Sequence, residues 1–336
     1  MGCYRAPMTQ DAGATIYDVA RAAGVSPSTV SRTFSRPGRV SATTAERIRQ
    51  VARELGYQAK SGASQSPAAT RVIGLLVTDV TNPAGFRIVR GAQAAAAEAG
   101  YVVTILDTRE SEALEREVVE RCLPLLDALV MVGPRLPDAE LRALAGALPV
   151  VVLNRRVPGM SCLVPDLVAG VRASVRHLRD LGHRTITYLA GPDASWDDGV
   201  RWRALRDVAS QLGLTAQRFG PLPPTLQGGR GAAAELIARG DKAVVCSNDM
   251  MAIGLMVGLH ERRVSVPGQV SIIGHDSIFA GSIVAPTLTT VGAPLTQMGQ
   301  MATQNLIARL TGGAVDDTTG PLLPVQLMVR GSTGPA

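Results

Sequence analysis

Residues 15–57, TIYDVARAAGVSPSTVSRTFSRPGRVSATTAERIRQVARELGY, read as three short helices wrapped around one small core. Thr15 is an N-cap with Asp18 three residues on, and Ile16, Val19, Ala20 and Ala23 recur at i, i+3, i+4 and i+7 on one face. Gly24 ends that helix. Ser26 caps a second helix whose first position is Pro27, where the missing backbone N–H would have had no helical partner. The second helix is expected to bury Val30 and Phe34 and to turn Ser28, Ser31 and Arg32 outward. A third helix is expected from about Thr44, with Ile48, Val51, Ala52 and Leu55 inward and Gly56 as its stop. Small Ala20, a glycine in the turn and apolar Val30 let the first two helices cross closely and steeply, which is the geometry of a helix-turn-helix.

Helix pairs also cap enzymes, and charge separates the two readings. Residues 1–71 hold ten Lys/Arg against four Asp/Glu, while the whole 336-residue chain carries a net +6, so the remainder is balanced. A cationic end on a neutral body suits a phosphate-binding module, because each basic group near a duplex releases condensed counterions. Double-stranded DNA is the expected partner.

The block TIYDVA…AGVS…TVSR…RVS…R…ELGY resembles the DNA-binding headpiece of the LacI/GalR family of bacterial transcription repressors, nearly without gaps. The resemblance implies that Pro27, Ser28 and Arg32 meet base edges in the major groove, where the planar fork of Arg32 matches guanine O6 and N7. It implies too that Thr15, Tyr17, Ser26, Ser31, Ser41 and Thr44 contact phosphates or brace the helices, with Arg39 among the DNA-contacting residues. Simple capping is the alternative for each hydroxyl, and the two roles are compatible.

The fourteen leading residues read as a loose tail without the apolar run of a secretory signal, and Cys3, Cys122, Cys162 and Cys246 show no paired spacing. A reducing cytoplasm is the expected location. Residues 58–71 are rich in Ser, Ala, Gly and Pro and read as a linker. In the family this segment folds on DNA into a hinge helix with a minor-groove leucine. Here Ser66 and Pro67 stand at that place and Ser64 replaces the usual basic residue, so the apolar wedge that would unstack a base step is missing.

From Val72 the chain alternates apolar runs with amphipathic helices: VIGLLV, YVVTIL, ALVMV and VVVL, then TITYLA, a segment at Ala216 to Phe219, AVVC and VSIIG. Such alternation predicts two doubly wound parallel-sheet lobes dividing near Cys162 to Asp166. The expected fold is therefore an all-α headpiece plus an α/β core. Lobe 1 takes about 72–164 plus 295–322, and lobe 2 about 165–294 plus 323–333. Ligands of open parallel sheets bind beyond the strands' carboxyl ends. Those ends are polar: Thr78 and Asp79, Asp107, Asn154, Asn248 and Asp249, His275 and Asp276. Any one of them can instead be a helix cap.

The body, to about Arg330, resembles the effector-binding core of the same family, which shares the periplasmic sugar-binding-protein fold, in IGLLVTDVTNP, HLRDLGHRTITYLAGP, CSNDMMAIG, VPGQVSIIGHDS and PTLTTV. The resemblance implies an effector site containing Arg201, Asn248 and Asp276, with Asn154 where an aspartate is usual and Asp79 and Phe86 from the first crossover. It departs from the family pattern at Ala84-Gly85-Phe86, at Ala204-Leu205 and at His275, which points to a retuned pocket. Trp202 is either a stacking platform for a sugar or a core residue. No phosphate loop, dinucleotide fingerprint, nucleophile elbow or zinc motif occurs, so no enzyme, cofactor or metal is expected. The expected function is a sequence-specific regulator, a repressor, acting as a homodimer on a palindromic operator under control of a carbohydrate-like effector. The rivals are a solute-binding protein of a transport system and, behind it, a Rossmann-like enzyme.

Overall fold

The computed structural model describes residues 14–35, 40–55, 57, 69–313, 320 and 322–336, omitting the side chains of Phe34 and Ser35. The chain divides into two units, Met1–Ala69 and Thr70–Ala336. The inward placement of Phe34, the Gly56 stop and the linker substitutions at 64–67 lie outside the described residues.

The first unit holds α1 (Ile16–Ala23), α2 (Pro27–Ser35) and α3 (Ala42–Glu54). Thr15 and Asp18 form a complete capping box, and Gly24 takes the left-handed conformation (φ 64°) that closes α1. Val19, Ala20, Ala23, Val30, Ile48 and Ala52 make the buried core. Two expectations for α3 need correction. The helix starts at Ala42 rather than near Thr44, because Ser41 is its N-cap. Leu55 is 42% exposed, because it is the C-cap residue rather than part of the inward stripe.

The second unit carries two sheets. Lobe 1 contains β1 (Val72–Val77), α4 (Ala84–Glu98), β2 (Val102–Asp107), α5 (Glu112–Cys122), β3 (Ala128–Val132), α6 (Asp138–Ala147), β4 (Val150–Leu153) and β5 (Cys162–Leu163). Lobe 2 contains α7 (Leu167–Asp180), β6 (Thr185–Leu189), α8 (Trp196–Gln211), β7 (Thr215–Phe219), α9 (Leu226–Arg239), β8 (Ala243–Cys246), α10 (Asp249–Glu261), β9 (Ser271–His275) and β10 (Thr289–Gly292). The chain then returns to lobe 1 for α11 (Leu295–Leu310), which packs on α4, and ends in lobe 2 with β11 (Gln326–Met328). Among the described residues the sheet orders are β2-β1-β3-β4-β5 and β11-β10-β9-β8-β6-β7. All pairings are parallel except β10 with β11, which adds an antiparallel edge.

Each lobe thus repeats one winding, with its strand order reversing between β1 and β3 and again between β6 and β8. Those switch points open a crevice at the strands' carboxyl ends. Buried strands such as β3 and β4 are continuous apolar runs because helices cover both faces. The helical cover sits very close. A Cβ on Gly91 of α4 would lie 1.9 Å from Thr296 O, and one on Gly299 of α11 would lie 2.1 Å from Ile88 O. Entry into the core is clamped by Asp127, whose carboxylate accepts from Thr70 N and Oγ1 (both 2.8 Å) and from Arg71 N (2.9 Å). Two crossing segments run together between the lobes, where Pro165 bridges Leu323.

Candidate functional site

The first unit presents one chemically distinct surface. On α2, Ser28, Ser31 and Arg32 are exposed, on the side away from buried Val30 and Thr33. Ser26 accepts from Thr29 N (3.2 Å) and Ser41 from Thr44 N (3.4 Å), so both hydroxyls cap helices while remaining exposed. The Ser41 hydroxyl also donates to Thr44 Oγ1 (2.8 Å). Thr15 is engaged in its capping box, Pro27 opens α2, and Tyr17 stands 65% exposed on α1. Arg39 lies outside the described residues. The surface is a row of short polar groups and one arginine on a helix whose neighbours hold it in place.

The second unit contains a cleft between its lobes. Its walls are the ends of the strands at the switch points: Thr78 and Asp79 after β1, Gly133 and Arg135 after β3, Asn154 after β4, Pro192 after β6, Ser247 and Asn248 after β8, and Asp276 after β9. Asn82, Glu110, Ser195, Asp197 and Arg201 complete the polar lining. A concavity at strand ends with converging polar groups suits a small molecule.

Of the residues singled out in the sequence, Asp79, Asn154, Arg201, Asn248 and Asp276 all line this cleft. Phe86 does not. It follows Gly85, which faces the cavity, and the helical turn carries it round to the outer surface, where it is 58% exposed beside Val80 and Ile105. It therefore forms no lid here. Trp202 packs on Tyr188 with ring centroids 6.1 Å apart, as part of a lobe 2 core. His177 and His183 are held by Thr333 and by Ser271, as structural histidines are.

Arg201 is buried, and its Nη1 donates to Asp197 Oδ2 at 3.0 Å. Its Nε reaches Tyr188 Oη at 3.4 Å, and that hydroxyl donates to Asp198 Oδ1 at 2.6 Å. Burial disfavours the Asp197 charge, but Arg201, the Ser195 hydroxyl and Arg135 across the cleft hold its pKa down to about 2. The pair is consequently ionised, with the Arg201 guanidinium held charged against burial by Asp197. Next to it, burial and the Arg201 charge push the His275 imidazole down to about 3, so it is neutral.

Asp276 differs. Burial, reinforced by the nearby Asp249 carboxyl, raises its pKa well above the ordinary range. No hydrogen bond reaches its carboxyl group from the described residues, and its backbone is left-handed (φ 104°), an uncommon and strained state for a non-glycine residue. Asn154 is left-handed too (φ 59°), and its Oδ1 is buried with no partner. A buried acceptor without a protein partner at the edge of a cavity can accept from a ligand.

Asn248 and Asp249, by contrast, are already engaged. Asn248 Oδ1 accepts from Met251 N (2.8 Å) as the cap of α10, and its Nδ2 donates to Pro224 O (2.9 Å). Asp249 is buried, accepting from Thr290 Oγ1 (2.6 Å) and Ile278 N (2.8 Å). Sequence reasoning missed Arg135, Glu110 and Asp197. Arg135 and Glu110 lie on loops with no motif of their own. Asp197, at i−4 from Arg201 on a helix, was open to inspection as an ion-pair partner. Among the described residues no cluster of His, Cys, Asp and Glu has the makings of a metal site.

Comparison with known proteins places both units. Residues 15–60 match the profile of bacterial regulatory proteins of the lacI family, and residues 175–333 match a periplasmic binding protein-like domain. The HTH-type transcriptional regulator GalR of Escherichia coli is 32% identical over 322 residues, 93% of each chain. The HTH-type transcriptional repressor CytR of Escherichia coli is 30% identical over 334 residues, 96% of this chain and 97% of that protein. Among solved structures, the lac repressor dimer bound to operator and the anti-inducer ONPF superposes with TM-score 0.70 at 27% identity, over 96% of this chain and 99% of that one. A regulator from Enterococcus faecalis with bound ribose gives TM-score 0.72 at 25% identity, over 79% and 99%.

Proposed function

The chain belongs to the LacI family of bacterial regulatory proteins, and on that premise we propose how its parts divide the work. It is a DNA-binding transcription regulator, a repressor, and not an enzyme. As a homodimer it binds a palindromic operator, since one headpiece makes too few base contacts to select a rare site in a genome. Arg32 and Ser28 on α2 read base edges, while Thr15, Tyr17, Ser26, Ser31, Arg39, Ser41 and Thr44 set the helix against the phosphates. The cytoplasm, where operator DNA is, is its place of action.

The cleft of the second unit is the effector site, and the effector is sugar-like. One observation carries this reading: Asn154 Oδ1 from lobe 1, a buried acceptor without a protein partner, and the Asp276 carboxyl from lobe 2 line one cavity. A polyhydroxylated molecule donating to both would bridge the lobes and favour their closed arrangement. A coupling of 1–3 kcal/mol between the sites then changes operator affinity about 5- to 150-fold. The solute-binding alternative fits the core but leaves the cationic headpiece without a task.

The test is selection of genomic fragments by the purified chain, followed by titration of the recovered operator with and without candidate sugars. Preference for a palindromic sequence that shifts on sugar addition is expected. Equal affinity for all fragments at moderate ionic strength, with and without ligand, would overturn the assignment.

A further inference from the structure

Two arginines enter the cleft, one from each lobe, and each is already paired with a carboxylate. Arg201 of lobe 2 is held by Asp197, which also receives the Ser195 hydroxyl. Arg135 of lobe 1 is only 6% exposed, is paired with Glu110, and donates through Nη1 to Gly133 O at 2.8 Å. The placement of Glu110 is built rather than incidental. Arg109 and Glu110 are consecutive left-handed residues (φ 47° and 58°), a costly arrangement without glycine, and Glu110 N donates to Thr78 O at 2.6 Å. That turn delivers the carboxylate onto Arg135 at the cavity wall. Glu115, buried beneath, fixes the other side by accepting from Arg135 N (2.7 Å) and Leu136 N (3.3 Å).

The remaining polar lining is of the opposite kind. Asn154 Oδ1 is a buried acceptor without a protein partner, and Asp276 and Asp79 add carboxyl groups, with Asp79 Oδ1 accepting from Thr81 N (2.7 Å) and Oγ1 (2.6 Å). A neutral polyol can donate hydroxyl protons to these groups and leave both ion pairs intact. A phosphate ester would meet arginines whose charge a carboxylate already offsets, and displacing that carboxylate would strand a charge at low exposure.

Resting on the reading of this cleft as the effector site, we propose that Glu110 and Asp197 are specificity-determining residues. Each masks the arginine beside it, so the cleft accepts an uncharged, hydroxyl-rich effector and rejects the phosphorylated form.

Calorimetry on the full chain tests this with D-ribose, D-galactose and uridine, each beside its phosphate monoester. At least one uncharged compound is expected to bind, and its ester to bind at least about ten-fold more weakly, as repulsive juxtaposition of like charges gives. Glu110→Gln should narrow that ratio by about ten-fold. Asp197→Asn, acting from the other lobe, is the second variant should Glu110→Gln not fold. An ester that binds the native protein as tightly as its parent overturns the inference while leaving the cleft an effector site. A ratio unchanged in either folded variant overturns the masking role. A panel in which neither form of any compound binds removes the inference together with the sugar-like effector.

Discussion

The headpiece and the cleft solve recognition in opposite ways. In the headpiece the polar groups proposed to meet DNA are exposed, and capping ties several of them to the fold: the buried side is a handful of Val, Ala and Ile residues with the Thr33 hydroxyl satisfied at Thr29 O. In the cleft the charged groups are buried and paired with each other before any ligand arrives. A surface reader can change its side chains without altering the scaffold. A buried reader cannot, because both arginines there are compensated by a neighbouring carboxylate, and removing one partner strands the other. Specificity in the first unit should therefore be modular, and in the second collective.

The sharpest way to break that comparison is Arg201→Met. Loss of the guanidinium leaves Asp197 buried without its ion pair, so the core should lose about 3–5 kcal/mol and effector response should vanish, with operator binding intact. Denaturation followed separately for core and headpiece, together with calorimetry, checks this. Unchanged ligand affinity would remove Arg201 from the site. Next in size, Arg32→Ala should cost about 1–3 kcal/mol at the operator and relax one base position, with nonspecific binding and core stability little altered. Equal losses on all sequences would make Arg32 a phosphate contact instead. Thr15→Ala should destabilise the headpiece by about 1 kcal/mol through loss of the capping box, without touching ligand affinity.

The smallest expected effect is a pH dependence. The Thr15 hydroxyl, then the Thr15 backbone, lowers the pKa of Asp18 below its ordinary 3.8. The folded pKa lies below the unfolded one, so the contribution is present above pH 3.8 and fades as pH falls through the lowered value. Headpiece melting in acid should show this fading, and Asp18→Asn should remove it.

The same contrast governs what could be read from the chain itself. Headpiece structure is written in local chemistry: Thr15 with Asp18, Gly24 and Ser26 specify helix ends within a few residues of themselves, and the structure uses them so. Leu55 was misplaced because it continues an apolar period one step past the helix end. The β-strands of the core show through as apolar runs, whereas β5 and β11, two and three residues long, carry too little pattern to detect. In the cleft, strand-end positions identified Asp79, Asn154 and Asp276, but position alone could not tell an open acceptor from Asn248, whose amide is spent on a helix cap and on Pro224. Arg135 and Glu110 meet only because of a left-handed turn and a buried Glu115, long-range facts with no signature in spacing.

The late return of α11 to lobe 1 also bears on how the chain is made. Strands β1–β5 leave the ribosome first, yet the helix that packs against α4 is synthesised only after lobe 2 has been made through β10. Until then an apolar flank that includes Ile88 and Ala92 lacks its cover. Nascent lobe 1 is accordingly open to premature association until α11 arrives, and a product cut short before Leu295 would leave that flank bare.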